Sequence, residues 1–186
     1  MIKLISVLKT MFSLTLVLCL VTYQAIADTS ERIDNDVDSA LSRLYAKIPA
    51  AKTLGRSAKG VLVFPRIVKA GFIVGGQYGE GALRVNGETK GYYNTAAASF
   101  GLQAGAEAFG YALFFMTNSA IKYLEASSGW ELGVGPSIVI IDTGAAGSFS
   151  TTTAKSDVYA FFFDQKGLMA GINLQGSKIS RIVPNK

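Results

Sequence analysis

Ala82-Leu83-Arg84-Val85-Asn86-Gly87-Glu88-Thr89-Lys90-Gly91-Tyr92-Tyr93-Asn94 holds the strongest turn signal in the chain. Asn-Gly supplies the two left-handed residues of a type I′ turn, whose twist matches that of the strands it joins. The stretch therefore predicts a β-hairpin with strands over Ala82–Val85 and Lys90–Asn94. Upstream, Val61-Leu62-Val63-Phe64 is bounded by Gly60 and Pro65, and Ala70–Tyr78 follows. Downstream, Ala97–Ala106 and Tyr111–Met116 continue the same pattern, which predicts an antiparallel meander. Further strands are expected over Trp130–Val134 and Ser137–Ile141, then a hairpin of Val158–Phe163 and Leu168–Leu174 across Asp164-Gln165-Lys166-Gly167. Ser148–Thr153 reads equally as an edge strand or a loop.

Helical spacing is confined to a few segments. Ile33, Val37, Leu41, Leu44 and Ile48 recur on one stripe behind Asp28 and Glu31, which have the spacing of a capping box. Pro49 ends that amphipathic helix and suits the first turn of a short second one through Leu54 to Ala58. Thr117 or Asn118 caps a third, with Ala120, Ile121 and Leu124 on its stripe and Gly129 at its stop. The chain holds 20 Gly interleaved with Val, Ile, Phe and Tyr, which favours strongly bent strands over disorder. The expected class is α+β: a mainly antiparallel curved sheet or closed β-barrel, an N-terminal amphipathic helix, a short second helix, and one helix inserted near 118–127.

The N-terminus reads as a leader. Lys3 and Lys9 precede an uncharged run, Met11–Val21 is its apolar heart, and Ala25-Ile26-Ala27 is a small-x-small cleavage pattern. Residues 1–27 are therefore expected to be a cleaved signal peptide, and 28–186 one domain, periplasmic or secreted. Lipid attachment at Cys19 is disfavoured by the bulky Leu18 before it. Removing two of the 18 basic residues with the leader leaves 16 against 13 acidic ones, a net +3. Such mild basicity argues against a nucleic-acid coat and permits a local cationic patch.

Histidine is absent from the chain, and the single cysteine, Cys19, leaves with the leader. The usual general base, the common zinc ligands, disulfides and thiolate nucleophiles are thereby excluded. No cofactor and no metal site is expected. Gly75-Gly76-Gln77-Tyr78-Gly79-Glu80-Gly81 lacks the Lys-Ser/Thr ending of a phosphate loop and reads as structural. Ile140-Ile141-Asp142-Thr143-Gly144 has the form that places an aspartic-peptidase carboxylate, yet one copy requires a dimer to supply the second. An ordinary strand-end turn is the preferred reading of Asp142.

Cations group along the chain at Arg56, Lys59, Arg66 and Lys69, with Lys178 and Arg181 in the C-terminal strand. These six are the expected contacts to phosphate-bearing lipid headgroups, and the same residues also read as a solvated face.

Several strings together resemble the SYLF domain family: Ala58-Lys59-Gly60-Val61-Leu62-Val63-Phe64-Pro65, Lys69-Ala70-Gly71-Phe72, Tyr78-Gly79-Glu80-Gly81, Ala97-Ala98-Ser99-Phe100-Gly101-Leu102-Gln103-Ala104-Gly105, Gln165-Lys166-Gly167-Leu168-Met169-Ala170-Gly171 and Gly176-Ser177-Lys178-Ile179-Ser180. The resemblance runs from about Leu41 to Ile182. It implies non-enzymatic lipid binding, with the Asp-Thr-Gly string as a turn. Expected partners are an anionic lipid or membrane surface, or an envelope protein, and not nucleic acid; the leader argues against actin, which some members bind.

Overall fold

The computed structural model describes residues 28–71, 74–100, 105–141, 156–167 and 176–185. The expected leader 1–27 with Cys19, the Asp142-Thr143-Gly144 string, Ser148–Thr153 and Leu168–Leu174 lie outside the described residues. Three helices are described: α1 (Ser30–Lys47), α2 (Pro49–Ser57) and α3 (Asn118–Ala126). Eight strands join them: β1 (Gly60–Gly71), β2 (Val74–Val85), β3 (Glu88–Phe100), β4 (Gly105–Phe115), β5 (Trp130–Glu131), β6 (Ile138–Ile141), β7 (Val158–Gly167) and β8 (Lys178–Ile182).

The strands form one curled half-barrel in the order β5-β8-β3-β2-β1-β4-β7-β6. The fold is thus α+β, with an open sheet in place of a closed barrel. All pairings are antiparallel except β6 with β7, and β4 returns to pair with β1, so the order departs from a plain meander. Asn86 and Gly87, at φ 53° and 84°, make the tight turn between β2 and β3.

β1 runs through Pro65, where the sequence suggested a strand end. Its register shifts there against both neighbours, between Val63 and Arg66 on β2 and between Phe64 and Ile67 on β4. A bulge is where a sheet tolerates a residue with no N–H to donate. Gly81 faces this bulge across β2: a Cβ there would stand 2.0 Å from the Val63 carbonyl oxygen, so only glycine fits. The break between β1 and β2 falls after Gly71, inside the run Ala70–Tyr78 expected to be one strand. Likewise Asp164–Gly167 is not a turn but the end of β7, with Gly167 opposite Glu107 of β4.

Each face of the sheet has its own core. α1 and α2 cover one face, burying Ile33, Val37, Leu44 and Leu54 against Val61, Val63, Phe114 and Phe161. Each such aliphatic side chain contributes about 1.5–3 kcal/mol. Thr29, one residue after the expected cap, starts α1 by accepting the Arg32 N–H, while Asp28 pairs instead with the Arg32 guanidinium at 3.0 Å. α3, capped by Thr117, packs Ala120 and Leu124 on the other face with Phe64, Tyr111, Phe115 and Trp130.

A polar clamp fixes α1 over the β2–β3 hairpin. The Arg84 guanidinium reaches Asp34 Oδ1 at 3.2 Å and Asp38 Oδ1 at 2.7 Å, one helical turn apart. The Tyr92 and Thr89 hydroxyls donate to the Asp34 carboxylate at 2.9 and 2.8 Å. These bonds hold α1 toward the Asn86-Gly87 end of the sheet, leaving the far part of the same face uncovered.

Candidate functional site

Beyond the edge of α1, pairing registers place six residues in one row across six strands. Lys166 of β7 stands opposite Ala108 of β4, then Val68 of β1, Tyr78 of β2, Ala96 of β3 and Lys178 of β8. Four apolar or aromatic residues thus lie between two lysines, about 24 Å apart at roughly 4.8 Å per strand. The next row on this face, Ala106, Ala70, Gly76 and Ala98, is exposed and carries no charge. Val68 is 44% and Tyr78 49% exposed, so the floor is open to its surroundings.

Where this floor meets α1, an open groove of about 1100 Å³ runs along the helix. Asp28, just before α1, and Arg32, Asp36, Arg43 and Lys47 on it form one wall, and Arg66, Val68, Tyr78, Glu80, Ala108 and Lys166 line the sheet side. Its charge is graded. Asp28, Asp36 and Glu80 lie toward the N-terminal half of α1, whereas Arg43 and Lys47 lie in its last turns, where cations also suit the helix dipole. Asp164 joins them, accepting from Arg43 Nε and Lys47 Nζ at 2.6 Å each. Those two cations hold its carboxyl below the usual range. Among the described residues Arg66 and Lys166 make no salt bridge. Tyr78 donates to Glu80 Oε1 at 2.6 Å, and desolvation, then that bond, push its phenol up to about 12.

The six cations expected to act together are spread apart. Arg66 and Lys178 share the uncovered face. Lys69 and Arg181 belong to the opposite one: Lys69 stands across from the buried Glu107, and Arg181 across from the buried Tyr93. Arg56 and Lys59 sit at the other end of β1, on the order of 30 Å from Lys69 at about 3.3 Å per residue. Arg43, Lys47 and Lys166 join the site instead. The first two belong to α1, whose clearest sequence signal is its apolar stripe, and Lys166 lies in a run, Asp164–Gly167, with the composition of a turn.

Residues 96–182 match the family model described as Ysc84, Las17-binding protein actin regulator. The chain therefore carries a Ysc84 (SYLF) domain. The SYLF match spans the end of β3 and then β4 to β8 with α3, and includes Ala96, Ala108, Asp164, Lys166 and Lys178 of the site; α1 and the Val68–Tyr78 pair precede it. No curated protein matches the chain. Among the described residues no helix of this SYLF protein is long and apolar enough to cross a membrane.

Proposed function

We propose that this SYLF protein binds anionic phospholipid, or another phosphate-bearing amphiphile, peripherally at the cell envelope and performs no covalent chemistry. The lysine-bracketed apolar row carries the reading. Such a surface rests Val68, Tyr78 and the neighbouring alanines on the acyl boundary while Lys166 and Lys178 reach headgroup phosphates, as long cationic side chains do at interfaces. Each near-surface cation adds about 1 kcal/mol of attraction to an acidic leaflet. Arg66, unpaired among the described residues, adds a third. The sum favours reversible adsorption over permanent anchoring.

The absence of histidine from the sequence supports binding without catalysis. The leader-like residues 1–27 support export to the periplasm or beyond, and with export an envelope lipid is the more accessible partner than the actin machinery in the family's description. Co-sedimentation tests the reading. The protein should pellet with phosphatidylglycerol vesicles at low salt, be released as salt screens the contact, and ignore phosphatidylcholine vesicles. Equal indifference to both lipids contradicts it.

A second reading, an envelope scaffold, is favoured by one feature. β6 ends the described sheet with Val139 39% and Ile140 51% exposed, and an apolar edge strand is a template for strand addition. Detergent-stable crosslinks to an envelope protein, without vesicle affinity, would decide for it.

A further inference from the structure

Asp164 is unusual in three respects that bear on one another. It is not glycine, yet its φ is 52°, a conformation a β-strand residue adopts only when its surroundings impose it. It sits where the β4–β7 register slips, Phe163 lying opposite Gly110 and Lys166 opposite Ala108. The slip delivers its carboxylate across the groove to α1. There each oxygen takes one cation, Oδ2 from Arg43 and Oδ1 from Lys47, at 2.6 Å. The Asp164 side chain is 18% exposed, while Arg43 and Lys47 remain 48% and 61% exposed.

We propose that Asp164 is a built-in counter-anion, holding Arg43 and Lys47 as a phosphate group would and so setting the affinity of the groove's basic end for phosphate-bearing ligands. The proposal rests on the reading of this face as lipid-binding. A phosphodiester headgroup, like a carboxylate, presents two free oxygens and one negative charge, so it can take the same two cations and also meet Lys166 and Arg66; a phosphate monoester or inorganic phosphate adds a third free oxygen and more charge. An incoming phosphate exchanges with Asp164, and the cost of displacing that carboxylate keeps the groove from holding weak anions.

The test uses the protein as the cell produces and processes it, with vesicles of phosphatidylglycerol in phosphatidylcholine, and separately with inorganic phosphate, read as protection against thermal unfolding. Asp164→Asn should bind acidic vesicles about fivefold more tightly, the effect of one near-surface charge, and Glu31→Gln, away from the groove, should shift binding less. The Arg43→Gln/Lys47→Gln pair should bind more weakly than the unaltered protein. If that pair also binds more tightly, Asp164 is a latch for α1 and the proposal is wrong. It is equally wrong if Asp164→Asn only matches Glu31→Gln. Asp164→Gly, which suits the left-handed backbone, serves if the Asn variant fails to fold. A gain with inorganic phosphate but no vesicle binding by any form sustains the phosphate site and removes the lipid reading. No gain with either probe overturns the proposal, while vesicle binding by the unaltered protein in that case leaves the lipid reading standing.

Discussion

Val68 and Tyr78 stand directly opposite each other on β1 and β2, and both remain nearly half exposed although the same face of the same strands is sealed by α1 a few residues away. An uncovered Val–Tyr pair contributes little to folding and much to adsorption. Val68→Asp should therefore change stability within about ±0.5 kcal/mol, as surface substitutions do, and abolish pelleting with acidic vesicles. Urea unfolding and co-sedimentation of the same sample check the two halves.

Arg84 should behave in the opposite way. Its side chain is 12% exposed and bridges Asp34 and Asp38, so truncation leaves Asp34 without its cation. Arg84→Met is expected to lower stability by about 2 kcal/mol, in the range for hydrogen bonds to charged groups. Lost docking of α1 would show as faster amide exchange over Ser30–Lys47.

Gly81→Ala should destabilise by about 1–3 kcal/mol through overpacking, because the added methyl meets the backbone oxygen of Val63 at 2.0 Å. Gly76→Ala, whose nearest neighbour would be the Ala97 oxygen at 3.6 Å, should be tolerated. Thermal melting of the two variants separates a backbone clash from loss of glycine as such.

Asp164 makes stability depend on acid pH. Its folded-state pKa lies below the ordinary aspartate value, held down first by the Lys47 bond and then by the Arg43 bond. The contribution is therefore fully present above the unfolded value and is lost as pH falls through the lower folded one. Melting temperature should drop less steeply on acidification in Asp164→Asn than in the unaltered protein. Identical slopes would show that the two ion pairs add nothing to folding.

Local chemistry made much of the fold legible. Asn86-Gly87, Pro49 at a helix start and Thr117 at a cap each act within a few residues, and all three stand where their own conformational preferences put them. The strand through Pro65 was not legible, because proline ends a ladder unless a bulge absorbs it, and the bulge depends on Gly81 closing in from another strand. Asp164–Gly167 has a turn's composition, and only pairing with β4 keeps it extended. For the site, two-residue alternation already separates Arg66 from Lys69. What the sequence withheld is which distant residues share a row. Lys166 and Lys178 bracket Val68 and Tyr78 only because β4 and β8 take those places in the sheet.

The central claim is that the uncovered face between Lys166 and Lys178 is the surface that meets an acidic membrane. Because Cys19 is the chain's sole thiol, a Cys19→Ser background allows an environment-sensitive fluorophore at Val68→Cys or, on α3 across the sheet, at Lys122→Cys. With phosphatidylglycerol vesicles the label at position 68 should shift to the blue and brighten, and the label at 122 should not change. A response at 122 with none at 68 would contradict the account.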